Sequence, residues 1–276
     1  MESLGAKRGW THPRDILKAF STLGELTKDP NRTDLIGDFI GLLSGPSSDR
    51  LLRKVWNDPM GRSILEEGPD LRATLADRTY LSSLPAGSLG RTYFDWTSTR
   101  NFTADGIAQE VSKQVGRESK DPRSNMSARV VDMHDLWHVL NGWDSDIYGE
   151  VHLLGYSYAQ LGGWAWLILA LIANTMLATM GRFEGFGYLR TAIRRGRKAT
   201  LLVAVDWESM LPLPLEEVRR KLSIADPEPY QRLQDDEVYL MRKRSPVHRW
   251  LLGSKGRLQL ATHRKPCQFN DQRCPC

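Results

Sequence analysis

No cysteine occurs before Cys267, and the three that the chain has, Cys267, Cys274 and Cys276, crowd into its last ten residues. Disulfides therefore do not hold the body of the fold together. Alternating apolar and polar runs are scarce as well, which argues against sheet and points to an all-α fold. The opening residues carry an early acid, Glu2, and no apolar run, so neither a secretory signal nor an Arg- and Ser-rich transit peptide is expected. Charge is missing from one long stretch: Val151 to Gly181 holds no Asp, Glu, Lys or Arg.

What is present is otherwise ordinary. The chain of 276 residues is 41% hydrophobic and 26% charged, enough for a sizeable core. Its net charge of +5 is unevenly placed, since residues 230 to 276 hold ten Lys or Arg against four acids. Helical spacing or capping marks Asp15–Lys28, Leu35–Leu43, a helix capped by Ser47 or Ser48 and running to Trp56, Met60–Glu67, Thr74–Ser83 and Ser88–Ser98. Residues 117 to 127 have no apolar periodicity and read as a loop. A last helix opens at Leu213-Pro214 and runs to Leu222. After Pro229 the chain turns polar and basic, which predicts a domain over 1–229 and a flexible tail over 230–276.

The uncharged stretch contains Leu161 to Met180, twenty residues, long enough to cross a bilayer. Scattered Tyr156, Tyr158, Gln160, Asn174 and Thr175, with Gly162-Gly163 between them, predict instead a buried central helix beside a cavity. Beyond it, Arg190, Arg194, Arg195, Arg197 and Lys198 form a basic run without acids. Such a run reads as a solvated helix face or as a contact for anionic lipid headgroups or an isoprenoid phosphate. No aromatics interleave with it, so nucleic acid is not an expected partner.

The chemistry concentrates at residues 134 to 150. His134 and His138, four apart, stack on one helix face, and Asp135 can lean toward the same point. Asn141-Gly142 ends that helix, Asp144-Ser145-Asp146 turns the chain, and Glu150 lies one turn into the returning element. Two imidazoles and two carboxylates from two helices suit a divalent metal. A His pair at this spacing also arises by chance on buried helices. The zinc-protease pattern His-Glu-x-x-His is not met, since Asp stands in the second place.

His134-Asp135-x-x-His138 followed by Glu150 resembles the signature of the Coq-four family of ubiquinone (coenzyme Q) biosynthesis. Asn57-Asp58-Pro59-Met60-Gly61-Arg62, Leu84-Pro85-Ala86-Gly87-Ser88-Leu89-Gly90-Arg91-Thr92-Tyr93 and Asp146-Ile147-Tyr148-Gly149-Glu150 are similar to further blocks of that family, in its order. The resemblance covers roughly residues 14 to 225. It implies a compact helical, bundle-like domain with a hydrophobic lipid-binding cavity. It also implies one divalent metal, zinc foremost, on His134, Asp135, His138 and Glu150, with Asp135 and Glu150 able to accept protons. The implied ligand is a prenylated quinone precursor, and the implied reaction is oxidative removal of the ring carboxylate at C1. The implied partners are other quinone-biosynthesis enzymes, a membrane surface touched from one side, and a second copy of the chain. The implied place is the cytoplasmic face of a bacterial membrane, or the matrix side of the mitochondrial inner membrane. Two other readings stay open: a lipid-binding scaffold whose metal is structural, and a metal-dependent hydrolase of an isoprenoid phosphate.

Overall fold

Side-chain caps start several of the helices in the structure, a computed structural model that describes residues 13–28, 33–67, 70–99, 121–233 and 237. The cysteine cluster and the tail beyond Glu237 lie outside these residues, as do residues 117–120. No strand occurs among the described residues; the nearest approach is an isolated bridge between Ser88 and Pro214.

The N-terminal half is a series of short helices: α1 Pro13–Lys28, α2 Thr33–Leu43, α3 Gly45–Asn57, α4 Pro59–Glu67, α5 Leu71–Ala76, α6 Arg78–Ser83 and α7 Leu89–Ser98. Ser44, not Ser47 or Ser48, stands at the start of α3. The single helix expected over Thr74–Ser83 is two, because Asp77 caps α6 by accepting from Tyr80 N. Ser88 caps α7 in the same way through Arg91 N.

The loop expected over 117–127 is a helix from Pro122 onward, α8 Pro122–Asp132. Asp121 caps it, accepting from the backbone of Arg123 and Ser124. It lacks apolar periodicity because its anchors are polar. Arg129 is buried and donates to Val205 O (2.7 Å) and Glu208 (3.0 Å), while Asn125 donates to Leu65 O. Charge-assisted bonds of this kind contribute on the order of 1.5–3 kcal/mol each where burial is deep.

The C-terminal half carries α9 His134–Asn141, α10 Ile147–Leu161, α11 Trp164–Ala178, α12 Glu184–Lys198, a 3₁₀ turn at Leu202–Ala204, α13 Trp207–Met210 and α14 Leu215–Lys221. The central element is α10, packed along α12 and buried over ten of its fifteen residues. Gln160 locks the pair, donating to Gly196 O (2.7 Å) and accepting from Leu202 N (3.0 Å). Leu136, Leu140, Tyr156, Val203 and Trp207 share the main core with Leu52, Val55 and Leu81 from the N-terminal half.

The uncharged stretch is therefore not one helix. Gly162 and Gly163 have φ of 72° and 90°, a region that other residues rarely adopt, and the chain turns there between α10 and α11. No helix among the described residues is long and apolar enough to cross a membrane. Nor is α11 buried on most sides: Trp164 is 67% exposed and Leu171 42%.

Residues just past the boundary expected at 229/230 contact the body of the fold. Tyr230 donates its hydroxyl proton to Asp146 Oδ1 (2.6 Å), Leu233 N donates to Asp146 Oδ2 (2.6 Å), and the Leu233 side chain is fully buried. A chain ending at Pro229 is expected to lose about 3 kcal/mol relative to one ending at Glu237, one buried Leu plus two hydrogen bonds. Urea melts of the two truncations check this; equal midpoints would show that the contacts of 230–233 add nothing.

Candidate metal centre

Helices α8 and α9 are joined only by Met133, so the chain bends once and starts α9 with His134. Gly142 ends α9 in the left-handed conformation, φ 69°. The freed carbonyls at that end are taken by side chains: Arg219 donates to Leu140 O (2.8 Å) and Val139 O (3.2 Å), and Asn141 donates to Trp137 O. Asp146 then caps α10 by accepting from Gly149 N, while Tyr230 and Leu233 hold its carboxylate from the other side. The turn between the two helices is thus fixed at both ends, and this sets where Glu150 meets α9.

His134, His138 and Glu150 converge, with one potential ligand atom from each lying within 4.8 Å of the others. Glu150 Oε1 is 3.3 Å from His138 Nε2, and Oε2 is 3.7 Å from His134 Nε2. Ligand atoms about 2.0–2.1 Å from a tetrahedral zinc lie roughly 3.3 Å apart, the range of the two distances to Glu150. His138 is buried, its Nδ1 lacks a hydrogen-bond partner among the described residues, and its Nε2 faces the Glu150 carboxylate at 3.3 Å. A buried imidazole so sparsely partnered is costly, and a metal between Nε2 and Glu150 would reduce that cost. The residues present fit a divalent ion.

Asp135 goes elsewhere. Its Oδ1 accepts from His134 Nδ1 at 3.0 Å, and it stands outside the converging set. That bond puts the proton on Nδ1 and leaves the Nε2 lone pair facing Glu150, the way a carboxylate orients a metal-binding histidine. The recess strips some water from all three groups. For His134 the Asp135 bond and the Glu150 charge outweigh this and raise its pKa. For Asp135 the His134 bond and the charges of both imidazoles outweigh it, and its carboxyl sits below the usual range. Glu150 is lowered likewise, by His138 above all.

The site's third wall, which was not expected from the sequence, comes from α7. Trp96 on α7 stacks on His138, with ring centroids 5.4 Å apart and planes 22° apart. Tyr93, one turn earlier, is buried on the same helix, and burial together with the Asp135 charge raises its pKa. The one available signal was the Tyr93-x-x-Trp96 spacing, which puts both rings on one helix face. The side toward His134 and Glu150 is open, each of these side chains being about half exposed.

The basic run divides in two. Arg195 is buried and donates to Asn141 Oδ1, Ala225 O and Asp226 O, while Arg190, Arg194, Arg197 and Lys198 stay exposed.

Comparison with known proteins gives a consistent picture. The family model described as coenzyme Q (ubiquinone) biosynthesis protein Coq4 matches residues 9–228. A mitochondrial ubiquinone biosynthesis protein of Aspergillus terreus is 30% identical over 220 residues, 78% of this chain and 73% of that one. Its Clavispora lusitaniae counterpart is 25% identical over 228 residues, 82% of this chain and 70% of that one. The Neurospora crassa protein is 28% identical over 231 residues, and the chain spans 64% of its length. A crystal structure from Nostoc punctiforme, described as a candidate ubiquinone biosynthesis protein, superposes with a TM-score of 0.59 at 20% identity. It covers 78% of this chain and 98% of its own, and shows that the fold is shared.

Proposed function

The chain belongs to the family of coenzyme Q (ubiquinone) biosynthesis protein Coq4, and from that premise we propose that it binds a prenylated ring precursor of coenzyme Q beside a divalent metal on His134, His138 and Glu150. The observation that carries the reading is the set of three convergent donors with an open side. Three protein ligands leave a position for substrate, whereas a structural site closes with four. Asp135, taken up by His134, supports substrate binding over the scaffold reading in which all four motif residues close the shell.

A divalent ion held there would orient a ring carboxylate or phenolate and stabilise the negative charge that develops on it. The remaining work falls to side chains. Asp135 fixes the His134 tautomer; Trp96 covers His138 and keeps water from its ring; Glu150, at the open side, is placed to take a proton. The reaction class is removal of the C1 carboxylate as carbon dioxide with a hydroxyl installed at that carbon. With the hydroxyl oxygen supplied by water it is a two-electron oxidation, and its electron acceptor comes from outside the chain. The same reading includes an organising role among other enzymes of the route.

A peripheral membrane contact accompanies this function. Trp164 and Leu171 on α11, with Phe183 and Phe186 at the start of α12, are exposed large apolar side chains, and exposed Arg190, Arg194 and Arg197 follow along α12. Phe183 and Phe186, followed at helical spacing by Arg190, Arg194 and Arg197, put apolar rings and a basic row on one helix face, which suits an anionic bilayer. The Phe183→Glu/Phe186→Glu variant is expected to float at least tenfold less with phosphatidylserine-containing vesicles while keeping its melting temperature. Unchanged flotation would rule this surface out. The metal assignment itself is tested by elemental analysis of purified protein, with about one divalent ion per chain expected.

A further inference from the structure

Behind α10 lies a second recess that the metal centre does not use. Glu150 and His152 are two residues apart on one helix, about 200° round its axis, so they serve opposite faces. His152 lines a cleft of about 270 Å³ formed by the Trp143 turn, α12 and the 228–230 segment. Its ring is stacked between Trp143 and Tyr188, with centroids 4.9 Å from each, and meets the edge of Tyr230. Nδ1 donates to Tyr148 O at 2.5 Å, which leaves Nε2 as an acceptor. That nitrogen makes no hydrogen bond among the described residues, and His152 lines the cleft.

The charges around the cleft are already committed. Arg195 spends its guanidinium on Asn141 and two backbone carbonyls, Glu184 pairs with Arg182 and Glu228 with Arg194. An anion would face the Glu184 and Glu228 carboxylates, and a cation would face Arg195, whose donors are already taken. What is left is aromatic wall, the His152 acceptor and the Thr191 hydroxyl. We infer that this cleft is a second binding site, for an uncharged one-ring compound of the phenol class whose hydroxyl donates to His152 Nε2. Its volume admits one substituted ring and excludes a long isoprenoid chain. The site is independent of the metal centre.

Ligand-observed NMR on the full chain with 4-methylphenol tests this. Saturable one-to-one binding in the millimolar range is expected, as suits so few atoms. Toluene is expected to bind at least tenfold more weakly, and 4-methylbenzoate likewise. Thr191→Trp, which fills the half-buried mouth, should abolish binding, and His152→Phe should weaken it about tenfold. The metal-free His138→Ala chain should bind 4-methylphenol unchanged. Equal affinity for 4-methylphenol and toluene overturns the proposal without any variant. So does loss of binding in His138→Ala, which would put the ring at the metal centre. Neither result bears on whether that centre holds metal.

Discussion

Replacing His138 by Ala is expected to leave the purified protein with less than a tenth of the divalent metal that the unaltered chain carries. His138 is the buried member of the set, and its Nε2 stands 3.3 Å from Glu150. His134→Ala should lose nearly as much. Asp135→Asn should be milder, about 10- to 100-fold in affinity, because Asp135 orients His134 and does not join the converging donors. Metal titration of the stripped proteins, followed by elemental analysis, reads all three. Equal losses for Asp135→Asn and His138→Ala would make Asp135 a ligand in its own right. Full retention in a His134→Ala/His138→Ala chain would remove the centre altogether.

The second large effect is at Gly149. A Cβ built there would lie 1.8 Å from the carbonyl oxygen of Asp144, a backbone atom in the turn before α10. Neither partner can yield alone, since Asp146 caps the helix through Gly149 N and is itself held by Tyr230 and Leu233. Gly149→Ala is therefore expected to cost about 3 kcal/mol or more, in the range of severe overpacking. It should also displace Glu150, the next residue, and weaken metal binding. Urea denaturation with and without metal separates the two effects. A variant as stable as the parent would mean that the turn adapts, and the fixed geometry claimed for the two helices would fail.

The metal motif was legible because its information is local. The i,i+4 spacing of His134 and His138, the Gly142 cap and the polar turn to Ile147 all act within a few residues and bring Glu150 back toward α9, while Arg219, Tyr230 and Leu233 then fix the turn. All-helical class was legible for the same reason. The helix Pro122–Asp132 was not, because apolar periodicity reports burial of apolar groups, and this helix is anchored by Arg129 and Asn125 reaching partners far along the chain. The basic run misled in the opposite direction. Five positive residues look alike in sequence, yet Arg195 faces α9 and the 225–226 backbone and is buried, while its neighbours face out.

By itself the sequence determined the family, the helical class, and a set of four candidate side chains, His134, Asp135, His138 and Glu150, of which three converge, since each rests on residue type and short-range spacing. The tertiary structure decided which acid stays out of that set, which ring covers His138, where the uncharged stretch breaks its packing, and how far the chain packs past Pro229. It also decided that His152, two residues from Glu150, lines a separate cleft. Those outcomes depend on which groups from distant elements reach each polar atom first, and on how much water they displace, and neither quantity is written in spacing along one chain.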